Sequence, residues 1–404
     1  MPEGEERYHA LDAVRSAAMM LGIFFHGILS FTAFPFGWAV QDRSYHVGVD
    51  VFVWLCHTFR MPVFFLMSGF FARLLLTRRG VAGFAAHRAK RILVPFVVAV
   101  IPIMASLLYL LRWGAAHTAV RPESPWNRYP PLEVPSGDAS PPPSPCHLWF
   151  LYYLLFMFVG VIALVGIGRR FPLEAMWRRV DGLVGQSMRS WALPFALAIP
   201  TAAALAFMRG LDAETPITFV PVPRILAYYA IFFAFGWLIH RQADLVSEFG
   251  RGLVGRGVLA ALALPVPLLF LDRLARTGAL EPLWHRGLAV YALALLSWLL
   301  VFVFVGLFVR YLSRPRPWVR YLADASYWCY IVHLPVVIVF QILVAEPTWP
   351  GPIKYALVMA ATLAVCLGTY HAFVRTTVLG SVLHGRRIRP GSSVPELSRQ
   401  GAVK

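Results

Sequence analysis

The sequence predicts an all-α integral membrane protein, a bundle of about ten transmembrane helices with both termini cytoplasmic. Composition is the first reason: 58% of the 404 residues are apolar and 14% are charged, where soluble chains run at about half and a quarter. The second is the recurrence of apolar runs of about 20 residues, the length that crosses a hydrocarbon core. The third is an alternation of Lys and Arg density from loop to loop. Disorder, collagen and a compact soluble domain are excluded by the same composition.

The apolar runs fall at about 13–33, 49–76, 92–113, 147–168, 191–208, 224–240, 254–271, 285–309, 324–345 and 354–374. Of the 37 cations, 26 lie at the N-terminus, in the loops after runs 2, 4, 6 and 8, and in the tail. Ten lie in the alternate loops, and Arg60 stands alone inside a run. The net charge of +17 therefore reads as topology, with the cation-rich side cytoplasmic, and no nucleic-acid partner is expected. Residues 1–375 form one transmembrane domain, interrupted by a proline-rich outer loop at 114–146. Residues 376–404 form a basic cytoplasmic tail suited to anionic headgroups. The four cysteines show no CxxC spacing, so neither a disulfide framework nor a metal site is expected. Oligomeric state is not legible.

Ionisable groups at membrane depth are costly, which makes each one a functional candidate. Arg15 and His26 are eleven residues apart, three helical turns plus about 20°, so they share one face and stand about 16 Å apart along the axis. Asp12 lies one turn before Arg15 and can orient it, or can serve as an acid favoured at a helix N-terminus. In the second run His57 and Arg60 are helical neighbours, and Pro62 kinks the helix and frees the carbonyl of Thr58. In the ninth, Ser326, Tyr330 and His333 fall at i, i+4 and i+7 as a polar stripe. His371 is a weaker candidate, better read as structural. His147 opens the fourth run, where a histidine near the interface is unremarkable on its own.

Together these pieces resemble the membrane acyltransferase family 3, the ten-span enzymes that modify extracytoplasmic glycans. The likeness rests on Arg15 and His26 with Leu11 and Asp12 before them. Gly48, Val49, Asp50, Val51 and Phe52 open the second run, and Ser68, Gly69 and Phe70 close it. It continues through Arg88, Ala89, Lys90, Arg91, Ile92 and Pro95, the stretch His147 to Leu151, and the segment Ser326 to His333. Within that family the stretch His57 to Phe65 most resembles the glucans biosynthesis protein C branch, associated with succinylation of periplasmic glucans.

The resemblance implies a multi-pass protein of the bacterial inner membrane that moves an acyl group, succinyl or acetyl, from cytoplasmic acyl-CoA to a hydroxyl of an extracytoplasmic glycan or glucan. No cofactor is implied beyond acyl-CoA as co-substrate. His26 is the expected general base, with an acyl-His26 intermediate as a second route. Arg15 is the expected donor anchor, aided by Asp12. Arg60 and Tyr330, or His333 and His57, are candidates to stabilise the oxyanion. Asp50, Ser68, His147 and Ser326 are candidate supporting residues. The alternative is a transporter of lipid, glycan precursor or acyl groups without covalent chemistry, although no inverted repeat supports it.

Overall fold

The computed structural model describes residues 8–34, 38, 40–117, 143–172, 174–216, 218–277 and 282–384. Most of the outer loop, 118–142, and of the basic tail, 385–404, lies outside these. Among the described residues all regular structure is helical. In chain order the helices are α1 (His9–Ile28), α2 (Val47–Arg88), α3 (Val94–His117), α4 (Trp149–Gly168), α5 (Glu174–Met188), α6 (Leu193–Ala206) and α7 (Pro223–Arg241). They continue with α8 (Leu253–Ala263), α9 (Pro265–Thr277), α10 (Leu283–Tyr311), α11 (Pro317–Ala345), α12 (Gly351–Thr369) and α13 (Val378–His384).

Eight helical stretches among the described residues are long and apolar enough to cross a membrane, where the sequence led us to expect ten spans. The second and third runs form one stretch, Val47–Gly114. α2 continues well past the apolar run to Arg88, breaks at Gly80 (φ 65°), and joins α3 through a single π turn at Ala89–Leu93. The fifth run yields only the 14 residues of α6, about 21 Å long at 1.5 Å per residue against a hydrocarbon core of about 30 Å. The seventh run is split at Pro265 into α8 and α9.

α5 was not expected. It is an amphipathic helix between α4 and α6, held by Arg241 at the end of α7. Arg241 grips Asp181 with both arms of its guanidinium (2.5 and 2.6 Å) and lies 4.7 Å from the centre of a Trp177 ring. Those hydrogen bonds hold the Asp181 carboxyl below the usual carboxylate range.

Small residues set a close helix crossing. A Cβ on Gly69 of α2 would overlap the Phe233 carbonyl of α7, and one on Gly236 would overlap the Leu66 carbonyl. The two backbones are in contact, as is common where lipid gives no hydrophobic drive to helix association. The connection after α1 is fastened to α12. Lys354 donates to both Asp42 oxygens (3.0 and 2.8 Å) and to the Ala345 carbonyl (3.0 Å), with both ionic side chains fully buried. All three ammonium protons are used, and the Asp42 amide donates back to Ser30 O (2.7 Å).

Candidate active site

α1 fixes the frame. Its eleven-residue spacing places Arg15 in the first half of the helix and His26 in its last turn. Arg15 is half-exposed and pairs with Asp12 at 3.5 Å. Its guanidinium lies 5.8 Å from the Phe71 ring centre. Arg88, the last residue of α2, and Arg91, in the turn joining α2 to α3, are its electrostatic neighbours. Arg88 rests on Phe84 and Phe158 with its Nε unpartnered among the described residues. A cationic cluster therefore sits at one end of α1, and the imidazole site at the other.

At that second end His26 Nδ1 meets His333 Nε2 at 2.8 Å. His333 is buried in α11, and its Nδ1 faces only carbonyl oxygens, Tyr330 O at 2.8 Å and Cys329 O at 3.1 Å. A nitrogen with two carbonyl partners carries the proton. In the neutral pair His333 Nε2 is then the acceptor and His26 Nδ1 the donor, which leaves the lone pair of His26 on Nε2. This assignment follows from hydrogen-bond partners.

The His26 ring is held from the side as well. Trp38 stacks on it, with 5.7 Å between ring centres and 1° between planes. Trp38 Nε1 donates to Gln341 Oε1 (2.8 Å), while the Gln341 amide donates to the carbonyls of His26 and Gly27 (both 2.9 Å). Sequence reasoning passed over both residues: an aromatic in an outer loop and a glutamine near a span end are ordinary there. A glutamine eight residues after His333 in an otherwise apolar stretch was the available signal.

Arg60 reaches the same chamber from α2. It is 8% exposed, forms no hydrogen bond or ion pair among the described residues, and leaves its Nε unpartnered. Its guanidinium carbon lies 4.7 Å from the Phe25 ring centre. A Cβ on Gly22 would come within 2.7 Å of a guanidinium nitrogen. Gly22 is one turn before His26 on the same face, so the guanidinium sits directly along α1 from the imidazole.

Two prolines explain how polar groups are accommodated here. A proline removes the donor that would serve the carbonyl four residues earlier. Pro62 frees Thr58 O, which accepts from Ser297 Oγ of α10 (2.9 Å). Pro335 frees Ile331 O, which accepts from His147 Nε2 (3.1 Å) along with Tyr330 O (3.0 Å). His147 Nδ1 is buried and unpartnered among the described residues.

The remaining candidates are placed elsewhere or have their polar atoms engaged. Tyr330, a candidate oxyanion donor, gives its one hydroxyl proton to His147 O (2.7 Å), so it ties α11 to the start of α4. His57 Nε2 donates to Ala213 O (2.9 Å), and its ring stacks on Phe25. Ser326 is buried and bonded to Ala323 O of its own helix (3.0 Å). Asp50 accepts from the amides of Ala33 and Phe34 (2.9 and 3.2 Å) and so caps the loop after α1. Ser68 is eight residues beyond Arg60 on α2, about 12 Å along the axis. His371 belongs to the π turn that ends α12.

A helical membrane protein that holds an oriented imidazole dyad beside a guanidinium unpaired among the described residues, with a basic cluster at the far end of the same helix, has the parts of an acyl-transfer site. The chain belongs to the acyltransferase family 3: the family described as "Acyltransferase domain" matches residues 8–371. It is an acyltransferase. Among curated proteins it is similar to the glucans biosynthesis protein C of Salmonella gallinarum, at 25% identity over 94% of this chain and 95% of the relative. The proteins of the same name from Salmonella schwarzengrund and Salmonella agona are 24% identical over the same shares. No solved structure matches.

Proposed function

We propose that this acyltransferase moves an acyl group, succinyl or acetyl, from acyl-CoA on the cytoplasmic side of a bacterial inner membrane to a hydroxyl of an extracytoplasmic glucan. The single observation that carries the reading is the 2.8 Å contact of His26 Nδ1 with a His333 whose own Nδ1 is tied to carbonyls. It leaves His26 Nε2 as a base in the chamber. That nitrogen takes the proton of the acceptor hydroxyl as its oxygen attacks the thioester carbonyl. The carbon–sulfur bond then breaks, the ester forms, and the thiolate takes up the proton. Arg60, with no counter-ion among the described residues, supplies positive charge to the developing oxyanion.

Arg15, Arg88 and Arg91 form the donor end, where guanidinium groups suit the phosphates of coenzyme A. Both termini then lie in the cytoplasm, as the cation count expects. The glucan acceptor rests on the names of the Salmonella relatives and on the stretch His57 to Phe65. The test is incubation of purified protein with radiolabelled succinyl-CoA or acetyl-CoA and periplasmic glucans. Label in alkali-labile ester on the glucan supports the reading, and the more productive donor names the acyl group. Normal labelling by His26→Ala protein overturns the assignment of the base.

A further inference from the structure

A polar cavity of about 230 Å³ lies away from the imidazole site. It is formed by the α5–α6 connection (Arg189, Trp191), the 3-10 segment Ala243–Gly250 (Glu248, with Arg251 just beyond) and the first turn of α8 (Gly252, Arg256). Its position is at the Arg15 end of the bundle. The segment follows Arg241 at the end of α7, and Arg73 on Trp237 ties that end to the part of α2 whose Phe71 lies under Arg15.

Three guanidinium groups face one carboxylate. Glu248 is taken up by Arg251 (3.0 and 3.4 Å) and Arg189 (4.0 Å). Arg256 is 5% exposed and is wedged between the rings of Trp191 and Phe302, at 5.8 and 4.7 Å. Its one hydrogen bond is a long one to Phe249 O (3.4 Å), and its Nε has no partner among the described residues. A buried guanidinium with no anion in hydrogen-bond reach is costly. α8 adds to the positive field. It opens on Gly252 at φ 60° with no side-chain cap, and its first backbone bond is Arg256 N to Gly252 O (2.9 Å). The amides of Leu253, Val254 and Gly255 therefore have no intrahelical acceptor, at the positive end of the helix dipole. A Cβ on Gly252 or Gly255 would come within 2.8 or 2.6 Å of the Trp191 indole, so these glycines let the indole close over that turn.

We infer that this cavity binds a phosphate group. Net positive charge, planar guanidinium forks and a bare helix N-terminus match a tetrahedral phosphate with two or more unesterified oxygens. The group comes from an anionic phospholipid headgroup or from a soluble phosphate, and one experiment separates the two. Full-length protein in maltoside detergent is melted with inorganic phosphate, with dihexanoylphosphatidylglycerol, or with phosphate-free dihexanoylglycerol, at constant ionic strength. A saturable rise in melting temperature is expected with a phosphate-bearing probe and not with dihexanoylglycerol. Loss of one charged hydrogen-bond donor raises the half-saturating concentration about tenfold in Arg256→Gln and in Arg251→Gln. The Arg251 side chain is 67% exposed, so its variant tests the site even if Arg256→Gln fails to fold. A rise with phosphatidylglycerol alone assigns a lipid headgroup, and a rise with inorganic phosphate assigns a soluble ligand. No saturable rise with either, or an unchanged half-saturation in Arg251→Gln, overturns the proposal.

Discussion

Replacing His333 by alanine tests the dyad at its most specific point. The substitution removes the acceptor 2.8 Å from His26 Nδ1 and leaves a buried N–H unsatisfied. That penalty is about 1–3 kcal/mol, which corresponds to roughly 5- to 150-fold in rate if it falls on the transition state. It falls there because the neutral His26 gains a choice of tautomer, and one of the two has no lone pair on Nε2. With His26 as the proposed base, His26→Ala should cost about 10²–10⁴ in rate. Because the two rings act as one unit, the double variant should be no slower than His26→Ala alone. The assay is initial-rate transfer of radiolabelled acyl groups to glucan at several donor concentrations, with kcat falling and donor KM unchanged in His333→Ala. Losses that multiply in the double variant would show that His333 acts independently of His26, and would refute the tautomer assignment.

Three further outcomes follow from the same geometry. Arg60→Leu should raise the melting temperature, because an unpaired buried charge is replaced by a packed apolar group, while kcat falls about 10²–10³-fold with the loss of an oxyanion donor; a drop in both would make Arg60 a structural anchor. Gly236→Ala forces a Cβ into the Leu66 carbonyl and should destabilise the protein by about 1–3 kcal/mol, measured by detergent melting, and a neutral result would mean that α2 and α7 separate freely. Asp181 has a lowered pKa in the folded chain, so its contribution is complete above the unfolded value of about 3.9 and is lost as pH falls through the lower folded value. Hydrogen exchange of 174–188, corrected for intrinsic rate, should therefore be flat from about pH 5 to 8, and Asp181→Asn should raise it at neutral pH.

Much of the site was legible because its residues violate the composition around them. Arg60 in an apolar run, His26 and His333 too deep for the interface, and Arg15 eleven residues from His26 all stand out against Leu, Val and Phe. The fold class was legible for the same reason. The His26–His333 partnership was not, because 307 positions separate the two in the chain and periodicity speaks only within one helix. Lys354 shows the opposite failure. In the sequence it stands at the edge of the last apolar run, yet it is fully buried, and its partner Asp42 lies in the connection after the first span. Where each helix ends was not legible from hydropathy alone. α6 is too short to span the core unaided, and α2 runs into α3 with only a glycine break and a π turn between them.

The prolines connect the fold to the chemistry. Each sits inside a long helix, and each releases a carbonyl that hydrocarbon could not satisfy. At Pro62 the freed oxygen is taken by Ser297, which locks α10 against the kink just before Arg60. At Pro335 it is taken by His147, which brings the start of α4 over the turn that also supplies the carbonyls for His333 Nδ1. The same turn thus fixes the His333 tautomer, and through it the free lone pair of His26. Ala or Leu at either proline would restore the helical bond and leave Ser297 or His147 with a buried donor and one acceptor fewer. The kinks give this apolar bundle polar attachment points, and one of them lies on the turn that fixes His333 against His26.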